Sequence, residues 1–391
     1  MLPRFASIPS FAAFVIKVTV LLLFIICLLP REVLSTPHLL FQNSSDGTLV
    51  YWSLESTGKL KNNTRNDGWD YVNGTEPGTN WRLAGVQLNA DGQRHTHLIM
   101  QNTNNGTFIY WSLNNKGALK NRTLHDGWDF ISDRSQLSSW RLIDVQYNAD
   151  KQGRSHLILY NDTDRMSAFW KLDSTGKLKN KTKGDGWDYI VATPPVSGLK
   201  LAALQQNADN AGNDHLIWQN SSEGYLVYWK LNSTGRLTNR TKTSGWNYLS
   251  DTSISSDWQV VGVLKNADKQ DNDHVMFLSN TSGLVVYWKL NSNGTLTNHT
   301  KGDGWDFVSD SGFLPPWTIA TIQPNADGLN GDNLIWQNTG NGKLVYWKLD
   351  STGKLLNRTK DSGWGYIDDS QPASTWIAKE VYLNCDSCPI W

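Results

Sequence analysis

The sequence predicts an all-β fold, a six-bladed β-propeller built from six 59-residue repeats. Three observations predict it. The segment HLLFQN at His38 recurs as HLIMQN at His97, HLILYN at His156, HLIWQN at His215, HVMFLS at His274 and NLIWQN at Asn333, each 59 residues after the last. A constant period without insertions means one supersecondary unit used six times. Inside each unit the signals are β, with runs such as LVYWKLN and no sustained helical period. Finally, the chain starts partway through a unit and ends just after the strand that unit lacks.

The 391 residues divide on this basis. Residues 1–35 read as a secretory signal peptide. Arg4 precedes the apolar run FAAFVIKVTVLLLFIICLL, and Val33 and Ser35 suit cleavage before Thr36. A type II membrane anchor is the alternative, because the run is nearly long enough to span. Residues 36–391 read as a single propeller with repeats 38–96, 97–155, 156–214, 215–273, 274–332 and 333–391.

Each unit opens with the HLIWQN-type strand. The second strand, LVYWKLN in the fourth unit, puts Tyr228 on one face and Trp229 on the other. Both faces then need cover, which stacked blades supply. A linear β-solenoid is the alternative, but 59 residues is long for one rung. A Ser-Thr-Gly or Ser-Asn-Gly turn follows. The next strand is either GRLTNRT or GWNYLS. Last comes a strand headed by Trp81, Trp140, Leu199, Trp258, Trp317 or Trp376. The sixth of these, WIAKEVYLNCD, is expected to complete the blade begun at His38. The two ends then pair in one sheet and leave no open edge at the join.

The Trp-led strand, the Asn/Asp loop and the following strand stand here as WQVVGVLKNADKQDNDHVMF and HLIWQNSSEGYLVYWKLN. They resemble the FG-GAP/VCBS repeat family across all six units. The resemblance implies a β-propeller of the kind found in integrin ectodomains, lectins and polysaccharide lyases, and fold alone does not choose among these. It also implies calcium in the loop. Here the loop departs from the family. Its first position is Asn (Asn89, Asn148, Asn207, Asn266, Asn325, Asn384), and the third keeps Asp91, Asp150, Asp209, Asp268, Asp327 and Asp386. Calcium takes six to eight oxygens and usually several carboxylates. The expectation is a weak Ca²⁺ site at most, with an Asx turn as the alternative.

Six Trp in the GW[DN][YF] stretches, Trp69, Trp128, Trp187, Trp246, Trp305 and Trp364, are the candidates for stacking on a sugar. The competing reading is structural burial. His38, His97, His156, His215 and His274 lie in different blades, so they read as structural rather than as a metal ring. Six Asn-x-Thr triplets recur in register at Asn62, Asn121, Asn180, Asn239, Asn298 and Asn357, within fourteen Asn-x-Ser/Thr acceptors in all. In a secreted protein these are N-glycosylation sites, and on a closed ring they form a crown. The alternative is that Asn and Thr serve the turn. Cys385 and Cys388 read as a local disulfide in an oxidising compartment.

With 36 basic and 36 acidic residues the chain has no net charge, which argues against nucleic acid or an anionic membrane as partner. No nucleophile elbow, zinc-protease motif or phosphate loop is present. The third unit departs most, with Asp164 and Arg165 in its turn and Leu199 in place of Trp. The expectation is a secreted, glycosylated, non-enzymatic propeller whose partners are glycans or extracellular proteins. A polysaccharide-active enzyme is the remaining reading, disfavoured because no unlike acid/base pair is visible.

Overall fold

The computed structural model describes residues 36–384, apart from 75–76, 89, 91–94, 133–137, 150–152, 192–194, 196, 210–211, 327–330 and 369–371. The leader at 1–35, Cys385, Cys388, Asn89, Asp91, Asp150, Asp327 and Asp386 lie outside the described residues. By compactness the chain divides after Ser35, and Thr36–Trp391 forms one unit.

Six four-stranded antiparallel sheets make six blades, with no helix among the described residues. Blade 4 shows the pattern, running from the axis outward as Leu199–Gln205, His215–Asn220, Leu226–Lys230 and Trp246–Tyr248. The other blades follow at 59-residue steps with small differences in length. The outermost strand is therefore the GW[DN][YF] stretch, and the GRLTNRT segment is the connection before it. The Trp- or Leu-headed strands neighbour one another around the axis.

Blade 1 closes the ring. Trp376–Asn384 pairs antiparallel with Thr36–Asn43, from Thr36 opposite Asn384 to Asn43 opposite Trp376. The blade order is thus C-terminal strand, then Thr36–Asn43, Leu49–Ser53 and Trp69–Tyr71. Every inner strand carries a bulge, for example between Leu201 and Ala203. Such an extra residue increases local twist where the strands crowd the axis.

Strand alternation divides the core into layers between blades. In blade 4, Val227 and Trp229 pack with Ile158, Tyr160 and Phe169 of blade 3. Tyr228 and Leu226 pack with Val260, Val275 and Phe277 of blade 5. Both faces are covered, as the Tyr-Trp pair requires. Trp218 and Trp336 are fully buried in these layers.

A glutamine clip joins successive blades. Gln219 of blade 4 donates from Nε2 to the carbonyl of Trp258 at 2.6 Å, and its Oε1 accepts the N–H of Val260 at 3.1 Å. Gln42 and Gln337 do the same for Trp81 with Leu83 and for Trp376 with Ala378. The clip satisfies the free edge of the next inner strand, which would otherwise be an open template for pairing. Tyr160 and Leu278 occupy the equivalent positions in blades 3 and 5.

Candidate ligand-binding clefts between the blades

The recurring His residues are structural packing. His215 stacks on Tyr228 at 4.4 Å, and His274 on Tyr287 at 4.3 Å. The turn glycine of the following blade closes over each ring. A Cβ on Gly353 would lie 2.5 Å from His274 Nδ1, and one on Gly117 would lie 2.6 Å from His38 Nδ1. Both glycines also have positive φ, +82° and +88°, so two demands converge on one residue type. Burial lowers His38, His215 and His274 to about 4, which keeps them neutral. His38 Nδ1 lies 3.1 Å from the Tyr382 hydroxyl, whereas both ring nitrogens of His215 and of His274 lack a hydrogen-bond partner. Stacking, more than hydrogen bonding, holds these two rings.

The loop aspartates, where described, cap their own turns. Asp268 Oδ1 accepts the N–H groups of Gln270 and Asn272, and its Oδ2 takes Asn272 Nδ2 at 2.8 Å and Lys289 Nζ at 2.7 Å. Asp209 is held likewise by Asn213 and by Lys230 Nζ at 2.9 Å. At the ends of the Asp268 loop, Asp273 carries Lys265 Nζ at 2.7 Å. In both loops a lysine ammonium and backbone N–H groups already occupy the carboxylate oxygens. These residues do not fit a Ca²⁺ cage, which needs those oxygens free.

The registered Asn-x-Thr triplets build the loop before the outer strand. Asn62 Oδ1 accepts the N–H of Thr64 at 2.8 Å, and Nδ2 donates to Asp67. Asn121, Asn180 and Asn298 repeat this with Asp126, Asp185 and Asp303. Asn239 and Asn357 use Ser244 and Ser362 instead. Each of the six Asn is half-buried. The carbonyl of Asn62 presses on Gly68 so closely that a Cβ there would overlap it. The turn therefore accounts for the register of the Asn. Among the acceptors outside this register, Asn161 and Asn220 are only 1% exposed, and a glycan on either does not fit the packing.

Trp69, Trp128, Trp187, Trp246, Trp305 and Trp364 are tied down in the same loops. Trp187 Nε1 donates to the carbonyl of Lys181 at 3.2 Å, and Trp246 Nε1 to that of Arg240 at 3.2 Å. The ring of Trp187 meets Tyr189 edge-on at 5.6 Å. Each indole is half-buried.

Among the described residues, two clefts are found where an outer strand meets the next blade. One, of about 380 Å³ between blades 3 and 4, is lined by Lys183, Asp188, Tyr189, Val191, Leu237 and Arg240 among others. The second, of about 270 Å³ between blades 6 and 1, is lined by the equivalent positions, including Lys59, Leu60, Asn63, Lys360 and Tyr366. The aromatic in each is the residue two positions after the GW Trp, and neither cleft has a Trp in its lining. A cation stands over that ring: Lys183 Nζ is 4.9 Å from the Tyr189 centroid and Lys360 Nζ 5.2 Å from that of Tyr366. Arg65 over Tyr71, Lys242 over Tyr248 and Lys301 over Phe307 repeat the arrangement. In blade 2, Leu124 replaces the cation. The Asp beside the ring bridges to the next blade, as in Asp129 to Lys177 and Asp306 to Lys354.

A second grouping lies on the axis, and sequence reasoning missed it. At one inner-strand position the six repeats place Gly85, Asp144, Ala203, Gly262, Thr321 and Glu380. Burial pushes Asp144 up to about 7. Burial and then the nearby Asp144 push Glu380 up to about 8. Tyr147, beside them, donates its hydroxyl to the carbonyl of Val86 at 2.7 Å. The signal was present in the period: two carboxylates at a position otherwise held by small residues. They sit on innermost strands, whereas the clefts lie at outermost ones.

Comparison with known proteins finds distant structural similarity alone. No known protein family and no curated protein matches the chain. Solved structures do. They include a quinoprotein alcohol dehydrogenase-like protein of Bacteroides thetaiotaomicron, with 10% identity, TM-score 0.40, and 91% of this chain and 70% of that one covered. A post-proline cleaving enzyme from Rickettsia typhi matches with 11% identity and TM-score 0.38, over 85% of this chain and 54% of that chain. A dihydro-heme d1 dehydrogenase matches with 12% identity and TM-score 0.37, over 89% of this chain and 57% of that chain. The chain spans little more than half the length of the last two. The protein is a six-bladed β-propeller with distant structural neighbours.

Proposed function

We propose that the protein is a secreted, non-enzymatic glycan-binding module of FG-GAP/VCBS type whose sites are the clefts between blades. One observation carries the reading. The same cleft recurs at two equivalent joints, lined by a tyrosine ring, by apolar side chains such as Leu60 and Leu237, and by Lys, Arg, Asn and Asp. A pyranose has an apolar face and a hydroxyl edge, and a site of that composition complements both. Repetition around a ring supplies valency, so weak single sites add up to avid binding of a multivalent surface. The alternative, an extracellular protein scaffold, is the outcome to be separated from it.

The test is a glycan array probed with protein made in eukaryotic cells, in the presence and absence of EDTA. Saturable binding to a related set of sugars, blocked by free monosaccharide and indifferent to EDTA, is expected. A blank array with folded, monodisperse protein overturns the glycan reading and moves it to the scaffold. Loss of binding in EDTA overturns the account of the loops as lysine-filled turns.

A further inference from the structure

The two clefts share one architecture and differ in charge. Between blades 3 and 4, three cations, Lys183, Arg236 and Arg240, face one carboxylate, Asp188. Arg236 is paired with Asp188. Lys183 and Arg240 are exposed and make no ion pair among the described residues. Between blades 6 and 1, the two cations Lys59 and Lys360 are balanced by Asp361 and Asp368. Lys59 is bound to Asp361 at 2.7 Å. Asn63 stands there in the place of Arg240, Asp361 in the place of Gly184, and Asp368 in the place of Val191.

We infer that the cleft between blades 3 and 4 takes an anionic saccharide, one bearing a carboxylate or a sulfate ester, and that the cleft between blades 6 and 1 takes a neutral one. The inference rests on the glycan-binding reading and names the ligand class at one of its sites. Asp188 fixes the Arg236 side chain along the wall, so its charge is already compensated. Lys183, over the Tyr189 ring, and Arg240, at the rim, are left to meet an anion. Arg offers a planar fork that matches carboxylate or sulfate oxygens, and Lys a point charge. Val191 and Leu237 line the same cleft and offer the sugar's apolar face a contact. No carboxylate at the Gly184 or Val191 position repels the ligand. This joint is also one that lacks the glutamine clip, with Tyr160 in its place and Leu199 heading the next inner strand. The most divergent repeat thus sits at the more basic of these two clefts.

The experiment measures binding by calorimetry with three probes: a sulfated heparin-derived hexasaccharide, an unsulfated oligogalacturonate and a neutral cello-oligosaccharide. Wild-type protein is compared with the double variant Lys183→Ala, Arg240→Ala, which keeps the Asn239-x-Thr241 triplet. Both side chains are exposed, and thermal unfolding checks that the variant folds. The expected result is a loss of about tenfold or more toward one or both acidic probes, the scale of a charge-assisted hydrogen bond. Affinity for the acidic probe should fall with salt, and binding of the neutral probe should be unchanged by the variant. The sulfated and carboxylated arms identify which anion is preferred. Retention of both acidic probes by the variant, or an equal loss of acidic and neutral binding in it, overturns the inference. Neutral binding without acidic binding overturns it and leaves the glycan reading standing. Absence of binding to every probe here, together with a blank array, overturns both.

Discussion

Replacing Gln337 by Leu tests how the ring is closed. Gln337 is 3% exposed and clips blade 6 to the C-terminal strand. Its Nε2 donates to the carbonyl of Trp376 at 2.6 Å, and its Oε1 accepts the N–H of Ala378 at 3.0 Å. That strand is an edge of its sheet on this side, so nothing in the ladder replaces the lost partners. Ala378 is 5% exposed, and a stranded buried N–H costs about 1–3 kcal/mol. Trp376 is partly exposed, so water recovers part of what its carbonyl loses. The leucine side chain returns about 1 kcal/mol through apolar burial. The net expectation is a destabilisation of about 1–3 kcal/mol, with the fold retained because Leu278 occupies the same position in blade 5. Urea unfolding reads it as a lower midpoint at unchanged slope. Hydrogen exchange reads it as faster exchange at Ala378. An unchanged midpoint together with unchanged protection at Ala378 would refute the clip as a stabilising device.

Other consequences follow from the same packing. His38, His215 and His274 have folded pKa values of about 4, below the ordinary 6.5, so the unfolded chain binds their protons first. Their contribution is complete above about 6.5 and is lost as pH falls toward 4, at up to roughly 3 kcal/mol per ring. Acid unfolding followed by tryptophan fluorescence should show this limb, and His274→Phe should flatten it. Glu380 and Asp144 act with the opposite sign. Their raised values of about 8 and 7 cost stability as pH rises through them, so Glu380→Gln should stabilise the protein at pH 8 and have little effect at pH 5. Gly353→Ala should cost about 1–3 kcal/mol more than Gly153→Ala. Both have φ near +82°, but a Cβ at Gly153 meets nothing within 4 Å, whereas one at Gly353 strikes His274. Thermal unfolding of the pair isolates the contact from the backbone strain.

The architecture was legible because a propeller repeats its reasons. A period of 59 residues, a Tyr-Trp pair needing cover on both faces, and a terminal strand out of phase were enough to deduce six blades and their closure. The identity of the fourth strand was not. Trp246–Tyr248 is only three residues long, and three residues carry too little alternation to separate a strand from a loop. The clefts were half legible. The GW[DN][YF] stretch marked the right segment, but the tyrosine that lines the cleft stands two residues beyond the tryptophan. Strand alternation alone puts both on the same face. It is the hydrogen bond of the indole to the preceding loop that turns the tryptophan into scaffold. Which blade faces which across a joint is a fact of topology, so Tyr189 and Arg240, 51 positions apart, do not announce one another in sequence.

Duplication also explains where specificity resides. Residues kept in all six units hold the shared frame: the half-buried GW Trp, the Asn that caps its loop, and the glycine that follows. Each is fixed by contacts that recur at every joint, so its repetition says little about a ligand. The positions that vary are those that frame does not constrain. They include the second residue of the Asn-x-Thr triplet and the inner-strand site held by Gly85, Asp144 or Glu380; the Gly184 position varies in side chain but keeps a positive φ in every blade. In the triplet, Asn and Thr are used by the turn while the middle side chain points to the rim, as Arg240 does between blades 3 and 4 and Asn63 between blades 6 and 1. A ring of equal blades therefore presents unequal clefts without any change in its core. Exchanging the middle residues, Arg240→Asn in one cleft and Asn63→Arg in the other, should move the preference for an acidic probe from the first joint toward the second. Retention of the original preference after the exchange would place the determinant elsewhere than in the triplet.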